Sequence, residues 1–211
     1  MKKIMFNSKY GLNNAVLEGR KTMTRRIINP QPTYDKMKGM YWKGGYYGIG
    51  FDNPNDAYKN FVSGTEHDKS CNRYRVGEVI AIARPYKDIA DFDSIKEILR
   101  LHDTAGWNNK MFVKANRMEY FIKITGVRVE RLQDITSEDC LKEGIFKHIS
   151  HAKVYYMHEG IGNYFFETPR HAFASLIDRV SGKGTWKSNP WVWVYEFELT
   201  DNPNKSWKNI K

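Results

Sequence analysis

Residues 18–26, EGRKTMTRR, crowd Arg20, Lys21, Arg25 and Arg26 together with the hydroxyls of Thr22 and Thr24 directly behind Gly19. Cations so close repel one another unless something anionic or polar sits among them. The run therefore reads either as a site for such a ligand or as a solvated basic loop. Other spacings carry less. His148 and His151 have HxxH spacing, but no HExxH motif or nearby Cys pair supplies further ligands, so they read as a surface loop and no metal is expected. SGKGT at 181–185 lacks the full phosphate-loop pattern and follows a helix, so it reads as a helix-ending turn. Trp191, Trp193, Tyr195 and Phe197 recur at period two. Such a row can stack on bases, but in a terminal strand it reads first as one wall of a core.

The net charge of +10 favours polyanions, which makes RNA, a nucleoside or a nucleotide the expected partner. No low-complexity tail carries this charge; the 34 Lys and Arg are spread along the chain. Cys71 and Cys140 are far apart and lack CxxC spacing, which argues for a reducing compartment and against a disulfide scaffold. No signal-peptide core follows MKKIMFNSKYG, and no apolar run approaches the roughly 18 residues of a membrane span. A soluble cytoplasmic protein without cofactor is the expectation. With 41% hydrophobic residues, the chain can bury an ordinary core in one domain spanning 1–211.

The elements that must position the basic run follow from periodicity and punctuation. KIMFN (3–7) reads as a short strand, and Lys9–Glu18 as a helix that Ser8 caps and Gly19 ends. The basic run then reads as a loop, and NPQP (29–32) stops any regular element. Residues 33–72 change character: YWKGGYYGIGF (41–51) reads as an irregular hairpin and DNPND (52–56) as a turn, an insertion over a binding face or a surface excursion. VIAIA after Gly77 reads as a strand buried on both faces and ended by Pro85. SIKEILRLHDTAG (94–106) reads as a helix, and EYFIKITGVRVERL (119–132) as a long antiparallel strand. DITSEDCLKEG (134–144) and TPRHAFASLIDRVSG (168–182) have the caps and closing glycines of helices, and NPWVWVYEFEL (189–199) is an aromatic strand. Residues 200–211 form a polar tail. Strands without regular βα alternation exclude a Rossmann sheet, and a small mixed or antiparallel β-barrel with flanking helices, of α+β class, fits best.

Three segments in this order, FNSKYGLNNAVLEGRKTMTRR (6–26), VRVERLQDITSEDCLKEGI (127–145) and FASLIDRVSGKGTWKSNPWVWVYEFEL (173–199), resemble the ASCH domain family, particularly its longer phage- and Bacteroides-type members. GRKTMTRR matches that family's GxKTxTxR pattern. The resemblance implies a PUA-like β-barrel, with 33–72 as lineage-specific elaboration. It also implies a function, because some small members are amidohydrolases that deacetylate N4-acetylcytidine through a Lys, a Thr and a later Glu. On this chain that set falls on Lys21, Thr24 and Glu143. A Thr hydroxyl attacks only when a base takes its proton. Lys21 can do so if burial and the neighbouring arginines lower its pKa. Glu143 can orient the lysine or relay a proton, and Arg25 or Arg26 can steady an oxyanion or a phosphate. Where many relatives carry a Glu, this chain has Arg84, a cation that favours phosphate over a neutral nucleoside.

Two functions follow as expectations. One is hydrolysis of an N4-acylated cytosine nucleoside or nucleotide by Lys21, Thr24 and Glu143. The alternative is a non-catalytic RNA- or nucleotide-binding module whose cleft is lined by Arg20, Lys21, Arg25, Arg26 and Arg84; a phage-related nuclease or modification sensor is a third. In the structural alternative, Lys21 and Glu143 form only an ion pair and Thr24 only satisfies a turn.

Overall fold

The computed structural model describes residues 1–35, 39–42, 45–47, 73–89, 95–160 and 164–203. In chain order the strands are β1 (Lys3–Ile4), β2 (Met23–Ile27), β3 (Thr33–Asp35), β4 (Gly39–Trp42), β5 (Gly45–Tyr47), β6 (Val79–Ile82), β7 (Phe121–Arg131), β8 (Phe146–Ser150), β9 (Lys153–Met157) and β10 (Trp191–Thr200). The helices are α1 (Leu12–Leu17), α2 (Ile95–His102), α3 (Ser137–Lys142), α4 (Pro169–Ser181) and α5 (Thr185–Ser188).

The central sheet runs β1-β6-β7-β10-β2, with β1 parallel to β6 and the other neighbours antiparallel. Its edges, β1 and β2, do not pair with each other, so among the described residues the sheet is open where a barrel was expected. A two-residue β1 offers too little ladder to close a ring. The architecture is α+β, with a mixed sheet and few helices. Strands β3–β5 form a separate antiparallel meander within residues 33–47. DNPND and the tail beyond residue 203 lie outside the described residues.

Two sequence readings give way to tertiary context. Residues 23–27 are not a loop; they pair antiparallel with β10 from Ile27↔Val192 to Met23↔Glu196. The expected helix over 9–18 is split into a 3-10 turn (Ser8–Tyr10) and α1, because Gly11 takes a left-handed φ of 62° between them. Asn7, not Ser8, caps the first turn.

Side-chain alternation assigns the faces of the sheet. In β6, Ile80 and Ile82 belong to the main core while Ala81 joins a smaller one with Ile89, Val113, Met118 and Phe121. Leu12 and Val16 of α1, Cys140 of α3 and Phe173, Leu176 and Ile177 of α4 complete the main core. The aromatic row of β10 is buried there, as period two indicated, and Val192 and Val194 are buried on the strand's other face. Of the two residues that could cap α3, Thr136 or Ser137, it is Thr136 that accepts from Asp139 N, and at the start of α4 Thr168 accepts from His171 N.

His158 is buried against Tyr10 and Phe166, and its Nδ1 lies 2.9 Å from the Glu159 carbonyl. Burial holds this imidazole below its ordinary value of 6.5. The unfolded chain therefore takes up the proton first as pH falls. Stability from this group is present above pH 6.5 and is lost as pH falls through the folded pKa. Thermal unfolding from pH 7.5 to 5 should show this acid loss, and His158→Gln should flatten it.

Candidate active site

Glu143 owes its position to the end of α3. It caps that helix, and Gly144 follows with a φ of 102°, a conformation that side chains resist. A Cβ on Gly144 would come within 3.3 Å of Leu12 Cδ2 and 3.7 Å of Lys21 Cδ, so glycine also lets the helix end approach α1 and the lysine stem. The Thr22 N–H donates to the Lys142 carbonyl at 2.9 Å, which docks the helix end on the segment leading into β2.

There Lys21 Nζ donates to Glu143 Oε2 at 2.6 Å, to the Glu143 carbonyl at 2.8 Å and to the Met23 carbonyl at 2.7 Å. Both side chains are buried, at 2% and 5% exposure, so water screens the pair little. Burial lowers the Lys21 pKa from 10.5; Glu143 opposes that shift, and Arg26 and Arg25 reinforce it.

Thr24 is buried on β2 opposite Tyr195. Its hydroxyl makes no hydrogen bond among the described residues. The one buried side-chain polar atom left without a partner there is Asn13 Oδ1, so the Thr24 oxygen is one that solvent reaches. Lys21, Thr24 and Glu143 line a single cavity of about 650 Å³. Its walls include Phe6, Trp42, Tyr74, Trp193 and Tyr195.

Arg25 points from β2 toward α3. Its side chain is fully buried and holds Glu130 at 2.5 Å, Asp139 at 3.0 Å and Glu143 at 3.1 Å. Arg128 continues the network to Glu130, Asp139 and Glu196. The Arg25 guanidinium is thus committed to carboxylates and steadies Glu143 from the side opposite Lys21. Cys140 lies in the core near this network, and burial pushes its thiol up to about 12, so it stays protonated.

Arg26 also lines the cavity; its Nη2 donates to the Met5 carbonyl at 2.5 Å. Arg20 does not line it. That side chain pairs with Glu18 and Glu159 at 2.6 and 2.9 Å on the surface. Arg84 is likewise elsewhere, paired with Glu119 at 2.9 Å. Of the five cations expected to line a cleft, the cavity contains Lys21, Arg25 and Arg26. His148 is exposed on β8, and among the described residues no group of three or more His, Cys, Asp and Glu side chains is placed to hold a metal ion. Among the same residues no helix is long and apolar enough to cross a membrane.

Sequence reasoning missed Lys3, Trp42, Arg73 and Tyr74, all of which line the cavity. Trp42 comes from the insertion: its Nε1 donates to the Pro30 carbonyl at 2.7 Å and its ring meets Trp193 edge-on at 6.4 Å. An isolated Trp in a Gly- and Tyr-rich stretch was the only sequence signal for it. Tyr74 stands edge-on to Tyr195 at 5.1 Å, a contact without any local pattern. Comparison with family models, with curated proteins and with solved structures returns no match for this chain.

Proposed function

We propose that the chain is an ASCH-type amidohydrolase of PUA-like descent that removes the acyl group from N4 of an acylated cytosine nucleoside. One observation carries this reading: a buried Lys21 bound to Glu143 shares a cavity with a Thr24 hydroxyl that has no hydrogen-bond partner among the described residues. A hydroxyl free of structural bonds and a base in the same cavity are what nucleophilic catalysis needs. The aromatic walls supply stacking surface for a pyrimidine, and the cavity volume suits a nucleoside.

The resting hydrogen bonds indicate how the base is made. An ammonium has three protons and no lone pair. Lys21 has all three engaged, with the Met23 carbonyl, the Glu143 carbonyl and Glu143 Oε2. Loss of one of these protons to solvent, which burial favours, leaves a neutral amine and frees a lone pair on Nζ. Lys21 then takes the Thr24 proton as Oγ1 attacks the acyl carbon. The tetrahedral adduct collapses, the C–N4 bond breaks, and the proton held by the Lys21–Glu143 pair goes to N4, which leaves as the amino group of cytosine. Water, activated by the same lysine, hydrolyses the threonyl ester and releases a carboxylic acid. Thr24 and Lys21 are the catalytic residues, and Glu143 acts through Lys21.

The test is deacetylation of N4-acetylcytidine by the purified chain, followed by ultraviolet absorbance. Turnover that Lys21→Ala abolishes is expected; a rate equal to the buffer blank would reject the reading. The pH profile adds a second check. A base must be neutral, so activity is lost as pH falls through the folded Lys21 pKa. Because that pKa lies below 10.5, the acid limb of kcat/KM should be centred below it. Without a lysine base, no such limb is expected.

A non-catalytic binding module has one observation in its favour. The cavity is lined by Lys3, Lys21, Arg25, Arg26 and Arg73 against the single carboxylate of Glu143. That excess of positive charge favours an anionic ligand whether or not chemistry follows.

A further inference from the structure

We infer that the cavity carries a phosphate subsite, formed by Lys3, Arg26 and Arg73 of its lining with Lys110 adjoining them, and that its ligand is a nucleoside 5′-monophosphate. The inference deepens the proposed function and rests on that reading for the identity of the base, but its cations are separate from the Lys21–Thr24–Glu143 set.

The cluster is built through the backbone of residues 5–7 and 110–113. Arg26 Nη2 donates to the Met5 carbonyl, and Lys110 Nζ to the Phe6 carbonyl beside it. Lys3 Nζ in turn donates to the carbonyls of Lys110 at 3.4 Å, Met111 at 2.9 Å and Val113. Arg73 enters from the end of the insertion, its guanidinium 5.6 Å from the Tyr74 ring centre. Carbonyls fix these groups in place without neutralising them. Among the described residues, none of the four makes an ion pair with a carboxylate. Arg25 and Arg128 on the same sheet, and Arg84 just beyond β6, contrast with this: each has an acid within 3.1 Å.

The acids that face the cluster do not discharge it. Glu143 is held by Lys21 and Arg25. Asp88, whose charge acts on Lys110, is exposed. Mutual repulsion is evident, since Arg73 acts against the charge on Arg26, and Arg26 against that on Lys110. Three carbonyl-anchored cations and one exposed arginine thus stand together with no carboxylate paired to them among the described residues. A phosphomonoester supplies up to two negative charges and several acceptors, and Arg binds it in a fork.

Geometry also relates this cluster to the chemistry. Thr24 and Arg26 are two residues apart on β2, so they share a face, and their cross-strand partners Tyr195 and Trp193 line the same cavity. The separation of their backbones is about 6.7 Å, which the long arginine side chain extends. A base against the aromatic walls and a phosphate at Arg26 therefore belong to one ligand. The bounded volume of about 650 Å³ favours a mononucleotide over a polynucleotide chain.

Calorimetric titration of the whole chain decides this, with cytidine, cytidine 5′-monophosphate, inorganic phosphate and a short single-stranded RNA as probes. The monophosphate should bind roughly tenfold or more tightly than cytidine, and the increment should shrink as salt rises. In Arg73→Gln, an exposed substitution, and in Arg26→Gln, the ratio of the two affinities should fall toward one. Equal affinities for cytidine and its monophosphate in the parent would overturn the phosphate subsite while leaving the proposed function intact. Binding of phosphate and of the monophosphate without cytidine would uphold the subsite and remove the cytosine assignment. Tighter binding of RNA than of the monophosphate would overturn the mononucleotide as ligand.

Discussion

Thr24→Val is expected to fold like the parent chain and to lose roughly 1,000-fold or more of the activity toward N4-acetylcytidine. The substitution keeps the shape and the β-branch of the side chain, which suits a strand. It removes only the hydroxyl, and that group bonds nothing among the described residues. No partner is stranded, so the melting temperature should move little. Thr24→Ser, which restores the nucleophile, should recover part of the rate. Measuring both quantities separates function from structure: a hydroxyl with a structural role would lose stability along with activity. Retention of full activity by the valine variant would reject Thr24 as nucleophile and with it the covalent route.

Arg25→Met should have the largest effect on stability. The guanidinium is completely buried and meets Glu130, Asp139 and Glu143. Taking it away leaves three acids, none more than 16% exposed, short of a cation. Removing one partner from such a buried arrangement costs about 3–5 kcal/mol. For a chain of this size that corresponds to a drop of roughly 6–20 °C in melting temperature. The penalty comes from the stranded carboxylates more than from lost attraction. Arg25→Met combined with Glu130→Gln should therefore be more stable than Arg25→Met alone. Additive losses in the double variant would show that packing of the arginine stem, including its approach to Phe173 at 6.0 Å, dominates instead.

What the sequence made legible follows the range of the forces involved. Caps, closing glycines and alternation are local, and Thr136, Thr168 and the period-two row of β10 were read correctly from them. β2 was not, because its only sheet neighbour is a strand more than 160 residues later. Its MTRRI has no alternation either, since Arg25 is buried through ion pairs that local hydrophobicity does not encode. The split of the first helix was hidden in the conformational choice of Gly11.

The site divides in the same way. Lys21 and Thr24 are neighbours in a distinctive motif, but only the resemblance paired them with Glu143; spacing cannot bring residue 143 to residue 21. Arg20 was drawn into the cleft by its place in the basic run and Arg84 by the resemblance, and local acids claim both instead. Lys3, Arg73 and Lys110 belong to no motif; Lys3 and Arg73 became visible through the cavity they line, and Lys110 through the backbone carbonyls that tie it to Lys3 and Phe6. The aromatic row was posed as either core or ligand surface. Trp193 and Tyr195 are buried in the main core and also wall the cavity.

The order of strands in the sheet has a consequence for biosynthesis. β2 carries Thr24, the proposed nucleophile, and its sheet partner β10 is the strand nearest the end of the described chain. At about 5–20 residues per second, a ribosome needs on the order of 10–30 s between making one and making the other. Throughout that interval the basic strand has no ladder to join, and its charges keep it solvated and resistant to wrong pairing. The sheet that carries Thr24 is consequently incomplete until β10 emerges, and a product truncated before β10 is expected to be inactive although it retains Lys21, Thr24 and Glu143.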